Sequence, residues 1–232
     1  MASDVTPLAS LSLTHVRYNP SDPLSLLAAT LSLLPQALII SYTTLLLSTR
    51  EAEVLLLLAG QLACEALNFV LKRLIRQDRP RHIHADTTKG YGMPSSHAQF
   101  VSFWAVSVVL FLLVRHRGAT PLWMRAGVGA AAVGVAAAVA WSRVYLGYHT
   151  GWQVLAGCVA GVGCGVGWFG VVGVVRGRGW LGWALELPVV RWFRVRDLVV
   201  DEDVSLAGWE KWEGRREAER LRREAGERRK GE

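Results

Sequence analysis

Three short polar clusters interrupt an otherwise apolar chain, and their residue types suit one kind of chemistry. Lys72, Arg76 and Arg79 recur at i, i+4 and i+7 ahead of Pro80. A continuing helix would align these cations on one side until the proline ends it. Gly92-Met93-Pro94-Ser95-Ser96-His97 reads as a helix start, where Pro and Ser are favoured and free N–H groups suit an anion. An imidazole at that point, with an unperturbed pKa of about 6.5, could give a proton to a departing oxygen. Ser142-Arg143 is followed, after five residues, by His149, and Gln153 stands four further on. If His149 and Gln153 share a helix face, the amide oxygen holds the ring's Nδ1–H and leaves Nε2 free as a nucleophile.

Each cluster alone also fits a plainer reading: a juxtamembrane basic patch, a helix cap followed by an interfacial His, an Arg and a His at two span ends. Together they put cations, helix-start amides and two histidines on one membrane face, which suits a phosphate group. Arginine forks bind its oxygens in pairs, and fixed cations stabilise the charge that develops in phosphoryl transfer. No Asp/Glu pair near the motifs is placed to hold magnesium and there is no Walker loop, so two-metal chemistry is not expected. Running backward from Lys72, the polar stripe continues as Asn68, Glu65 and Gln61. A mid-span carboxylate costs about 2.5–3.5 kcal/mol on insertion scales, so Glu65 must face the bundle interior or a wet cavity, with Asn68 beside it in a supporting place.

The elements that must position these groups are membrane helices. The chain has 232 residues, 26 Lys+Arg against 19 Asp+Glu, a pI near 9.8 and a mean hydropathy of +0.25. So basic a chain would ordinarily raise nucleic acid as a partner, but its charges avoid several stretches of bilayer length. Membrane lipids, and no nucleic acid, are the expected surroundings. With ~20 residues needed per crossing, spans are predicted at 24–47 (Pro35 a possible kink), 54–71, from just after His97 to 114, 126–142 and 150–175. The fold class is all-α, a polytopic transmembrane bundle of about five spans. Residues 1–23 form an N-terminal segment without a cleavable-signal pattern, 24–175 the bundle, and 176–232 an interfacial segment followed by a charged, exposed helix. Cys64, Cys158 and Cys164 all fall in apolar stretches and read as packing residues. Gly157 and Gly161 have the small-xxx-small spacing that lets membrane helices approach closely.

Five spans place the 72–97 and 142–149 loops on one face and the C-terminal tail on the other. The charge rule puts the tail in the cytoplasm. The 72–97 loop, with Lys72, Arg73, Arg76, Arg79, Arg81 and Lys89, opposes that assignment unless its cations have another task.

Lys72-x6-Arg79-Pro80, Pro94-Ser95-Ser96-His97 and Ser142-Arg143-x5-His149 resemble, in order, the three signature motifs of the type 2 phosphatidic acid phosphatase (PAP2) superfamily. The resemblance implies that Lys72, Arg79, Ser95 and Arg143 cradle a phosphate, that His97 is the acid, and that His149 attacks phosphorus to form a phosphohistidine. Two positions depart from the usual pattern. Ser96 stands where Gly is customary, and its amide can still serve; Gln153 stands where an Asp normally orients the nucleophile. Ser12-Leu13-Thr14-His15-Val16-Arg17-Tyr18, Tyr91 through Phe100, Ser142 through Thr150 and Arg194-Val195-Arg196-Asp197 are similar to the dolichyldiphosphatases, which also carry Gln at the place of Gln153 and an acidic residue near that of Glu65. This resemblance implies metal-independent hydrolysis of dolichyl diphosphate to dolichyl phosphate and inorganic phosphate, on the lumenal face of the endoplasmic reticulum, in dolichol recycling for N-glycosylation. Setting phosphate-binding cations aside removes the topology conflict. Two other readings stay open: a PAP2-type phosphatase for another lipid phosphate or isoprenyl diphosphate, and a non-enzymatic transporter or lipid-binding scaffold.

Overall fold

The computed structural model describes residues 9–11, 16–80 and 90–231. Arg81, Lys89 and residues 12–15 of the motif-like stretches lie outside the described residues.

A short antiparallel hairpin, β1 (Ala9–Leu11) with β2 (Val16–Tyr18), precedes the helices; the polar–apolar alternation of Ser10-Leu11-Ser12-Leu13 and of His15-Val16-Arg17-Tyr18 is the strand signal in this segment. The first span comprises α1 (Pro23–Leu31) and α2 (Leu34–Thr49). Asp22 caps α1, accepting from the Leu24 amide at 3.0 Å, and Pro23 sits at the first helical position, where its missing N–H costs nothing. The interruption expected of Pro35 is present. The span breaks just before it, at residues 32–33, and Pro35 lies in the first turn of α2. The hydroxyls of Thr30, Ser41, Thr43 and Thr49 bond back to the carbonyl four residues earlier, which removes their need for water on an apolar helix.

The remaining spans are α3 (Ala52–Ile75), α4 (Ser96–Leu110) continued by a π-helical turn (Phe111–Arg115), α5 (Leu122–Tyr145) and α6 (Gly151–Gly177). With α1 and α2 they make five stretches long and apolar enough to cross a bilayer. Two short helices, α7 (Trp180–Leu185) and α8 (Pro188–Trp192), are each too brief to span. The exposed helix α9 begins at Val204, ahead of the Trp209 start that charge alternation suggested.

Helix α4 is the axis of the bundle. Phe100, Val101 and Ala105 pack against Ala132, Ala136 and Val139 of α5, and Leu34 and Leu38 of α2 close that core. On its other side α4 meets the glycine face of α6. A Cβ on Gly157 would lie 2.6 Å from the Ser95 carbonyl oxygen, and one on Gly161 would collide with the Gln99 carbonyl. The two backbones therefore touch directly, as the small-residue spacing predicted, and the beginning of α4 is fixed against the beginning of α6.

At the opposite end a strap over residues 196–200 ties the helix termini together. Glu53 bridges Arg115 and Arg176, each at 2.6 Å, and Arg176 also pairs with Asp197. The buried Glu51 accepts from the amides of Leu198 and Val199, and His116 Nδ1 meets the Val199 carbonyl at 2.8 Å.

Candidate active site

The spacing of the third motif has a local cause. Helix α5 ends in a Schellman turn: Gly147 adopts φ 71°, its N–H donates to Val144 O, and the Tyr148 N–H donates to Arg143 O. A left-handed residue is what this turn demands, and glycine takes it without strain. The chain then doubles back, and the His149 amide shares the same Arg143 carbonyl at 3.2 Å. Five residues is thus the length of turn that returns His149 to the end of α5, beside Arg143. Arg143 stacks over the Tyr148 ring with 4.4 Å to the centroid, and Tyr148 Oη accepts from the Arg17 amide.

His149 stands before α6, not on it. Thr150 is the N-cap, and Gln153 completes a capping box, its Oε1 accepting from the Thr150 amide at 3.2 Å. The predicted His149–Gln153 contact exists, at 3.2 Å from Nδ1 to Oε1, but it runs through the cap and not along a helical face. The surrounding bonds decide the proton's place. Gln153 Nε2 faces the Asp78 carbonyl at 2.9 Å, which can only accept, so the other amide atom must be the oxygen. An oxygen facing Nδ1 requires Nδ1–H, and Nε2 is left with its lone pair.

Gln153 also fastens the other two motifs. Its carbonyl accepts from the Ser95 amide at 3.0 Å, and its side chain grips Asp78, next to Arg79. Gly92 fits between them: a Cβ there would lie 2.7 Å from Gln153 Nε2 and 3.0 Å from Arg79 Cγ. The Gly92 amide closes the intervening loop onto Gln77 O at 2.6 Å.

The first motif differs from expectation in one respect. Helix α3 does not run on to Pro80; it ends at Ile75, and Arg76 turns left-handed with φ 53°. Arg76 is consequently exposed and bonds Arg73 O, while Lys72 and Arg79 turn inward. Lys72 is close enough to Arg79 and Arg143 for mutual repulsion, and His97 and His149 both feel Arg143 and Lys72. His149 shares the Arg143 turn, and Gln153 is bonded both to the Ser95 amide and to the Asp78 carbonyl, so the three motifs converge.

Burial, with the Arg143 and Arg79 guanidiniums adding to it, pulls His149 down from 6.5 to about 3; the Gln153 bond opposes this. Burial likewise holds Arg79 below its usual range. Arg79 Nε, Arg143 Nε and Ser95 Oγ are buried without a hydrogen-bond partner among the described residues. Buried polar atoms are nearly always paired, and these three, one from each motif, are suited to an oxyanion. Helix α4 begins at Ser96 and its first ladder bond is Gln99 N–H to Ser95 O, so the amides of Ser96, His97 and Ala98 have no intrahelical acceptor. The Ser95 amide, by contrast, is committed to Gln153.

Glu65 lines a cleft of about 600 Å³ together with Ser96 and His97, whose other walls include Ile39, Ile40, Leu62 and Phe100. Asn68 is buried and donates to Gln99 Oε1 at 2.7 Å, and Gln99 in turn donates to the Cys64 carbonyl. Gln61 donates to Phe100 O at 3.4 Å. The stripe on α3 therefore packs the start of α4, with Glu65 facing the cleft. Sequence reasoning missed Ser32 and Gln99. Gln99, like Asn68, is a polar amide in an apolar span and stands out on that ground; Ser32 carried no such signal. Ser32 is fully buried in the α1–α2 break, accepting from Arg143 Nη1 at 2.9 Å and meeting His97 Nε2 with its carbonyl at 3.2 Å.

Residues 53–176 match the PAP2 superfamily. The chain is 54% identical, over 99% of each sequence, to a protein of Neurospora crassa described as a putative dolichyldiphosphatase. It is 36% identical to the dolichyldiphosphatase of Saccharomyces cerevisiae over 79% of each. Against human dolichyldiphosphatase 1 the identity is 39%, over 68% of this chain and 69% of that one. Its fold is that of the transmembrane PAP2-type phosphatidylglycerolphosphate phosphatase of Bacillus subtilis, with a TM-score of 0.56 at 23% identity over 66% of this chain and 79% of the other.

Proposed function

The chain belongs to the PAP2 superfamily, among its dolichyldiphosphatases, and from that premise we propose that it hydrolyses dolichyl diphosphate to dolichyl phosphate and inorganic phosphate through a phosphohistidine on His149. The observation that carries this reading is the convergence of the two imidazoles with Lys72, Arg79 and Arg143. Neutral His149 attacks the terminal phosphorus with Nε2, and Gln153 holds Nδ1–H. Arg79, Arg143, Lys72, Ser95 and the first-turn amides of α4 take the phosphoryl oxygens. Protonated His97 gives its Nδ1 proton to the bridging oxygen as dolichyl phosphate leaves; water then attacks the phosphohistidine, its proton passing back to His97, and phosphate is released from His149.

The cleft beside His97 favours a lipid leaving group, since its apolar walls on α2, α3 and α4 run from the reacting centre along membrane-spanning elements. The site sits at the end of the bundle away from Arg115, Arg176 and the 196–200 strap. The positive-inside rule, with the phosphate-binding cations set aside, supports a cytoplasmic C-terminus and a site on the opposite, lumenal face, in the endoplasmic reticulum on this reading. There the product returns to the lipid-carrier pool used in N-glycosylation.

Purified full-length protein in detergent, supplied with EDTA, is expected to release phosphate from dolichyl diphosphate faster than from phosphatidate. Turnover that vanishes on chelation, or a preference for phosphatidate, would overturn the reading in favour of metal-dependent chemistry or of another lipid substrate.

A further inference from the structure

The first span supplies none of the three motifs, yet its break reaches two of their residues. A continuous helix would commit the Ser32 carbonyl to the amide four residues on. Here the first bond of α2 runs from the Ala37 N–H to Leu33 O, so the Ser32 carbonyl stands outside that ladder. It is directed at His97 Nε2, 3.2 Å away. A carbonyl only accepts, so this bond puts the hydrogen on Nε2 and fixes the ring's orientation. The Ser32 hydroxyl donates to Ala28 O at 3.0 Å and, with its lone pair so aimed, accepts from Arg143 Nη1 at 2.9 Å. Pro35, which has no N–H to offer the preceding turn, keeps the break open.

We propose that Ser32 is a positioning residue of this site, its hydroxyl aiming the Arg143 guanidinium at the transferring phosphoryl group while its carbonyl, by accepting Nε2–H, orients the His97 ring so that Nδ1–H of the imidazolium is the proton donor. The inference rests on the reading of Arg143 as a phosphate ligand. Its own content is that a buried serine of the first span, far from every motif in sequence, sets the geometry of the second and third. Among the described residues Arg143 Nε has no hydrogen-bond partner, so Ser32 holds one arm of the fork and leaves the other side for an oxyanion. Without the hydroxyl, the guanidinium keeps its charge and loses its aim, and binding should weaken at constant electrostatics.

The test uses full-length protein in detergent and orthovanadate, a five-coordinate mimic of the transferring phosphoryl group, read by inhibition and by thermal stabilisation. Ser32→Ala should weaken vanadate about tenfold, the range of a lost bond to a charged group. Ser32→Thr, which keeps the hydroxyl, should restore affinity to within about threefold of wild type. Wild-type vanadate affinity in Ser32→Ala would overturn the proposal. Equal losses in both variants, tracking an equal fall in Tm, would also overturn it, because a merely structural serine behaves that way. Should Ser32→Ala not fold, Ser32→Thr still decides: with a wild-type Tm and weakened vanadate it contradicts the assignment, and with retained affinity it supports it. Arg143→Ala separates the two levels, since unchanged vanadate affinity in that variant would sink the phosphate-ligand reading itself.

Discussion

Gln153 Oε1 lies 3.2 Å from His149 Nδ1, and this pairing settles which nitrogen of the imidazole is free. The other end of the same amide is spent on the Asp78 carbonyl, so the residue joins the nucleophile to the loop that carries Arg79. An acid in its place would set a carboxylate oxygen against a carbonyl oxygen. Amide in place of acid is therefore what this packing asks for.

Gln153→Glu tests that account. The new carboxylate gains charge beside His149 but turns an acceptor toward Asp78 O. The account expects kcat/KM to fall by about tenfold or more, from the broken bond. The acid limb of the pH profile should move to higher pH, because a nearby negative charge favours imidazolium. A steady-state pH series on both proteins reads both effects, and unchanged kcat/KM would count against the clamp.

A second prediction concerns stability. His149 in the folded protein titrates at about 3 against 6.5 for a free imidazole. Between those values the unfolded chain binds a proton that the folded one does not, so the folded state loses stability as pH falls through the window. Thermal scans from pH 6.5 toward 3, without phosphate, should show Tm falling more steeply in wild type than in His149→Asn.

The glycine face of α6 yields a paired test. Gly157→Val pushes directly on the Ser95 carbonyl and tilts the first turn of α4, where His97 stands. A displacement of about 1 Å there can cost about a hundredfold in rate. Gly163, six residues along and with nothing within 4 Å of its Cβ position among the described residues, should accept Ala with activity unchanged and a gain of up to about 1 kcal/mol in stability.

At the far end, Glu53→Ala leaves Arg115 and Arg176 without their shared carboxylate. Breaking a poorly hydrated pair costs about 3–5 kcal/mol, so Tm should fall substantially. The kinetic constants of the surviving folded protein should stay within about twofold, because among the described residues the strap and the site share no partners. A large loss of kcat at unchanged Tm would refute that separation.

Much of this was legible in residue spacing. Hydropathy gives the five spans, since an apolar run of bilayer length has few alternatives. The motifs gave Lys72, Arg79, Arg143, His97 and His149, and they also gave the His149–Gln153 pair. What could not be read is of two kinds. Helix ends depend on one residue's backbone: Arg76 turns left-handed without being Gly or Asn, so no breaker announced the end of α3. Long-range partners leave no local trace. Ser32 meets Arg143 across 111 positions and Glu51 meets Val199 across 148, and neither Ser32 nor Glu51 belongs to a periodic pattern that points to its partner.

The central claim, covalent transfer to His149, is tested most directly by rapid acid-free quenching of the full-length protein turning over dolichyl diphosphate labelled at its terminal phosphate. The account predicts a protein-bound label that survives alkali, is released by acid, maps to His149 and disappears in His149→Ala along with turnover. Sustained turnover with no label on His149, or a His149→Ala variant working at the wild-type rate, would contradict it.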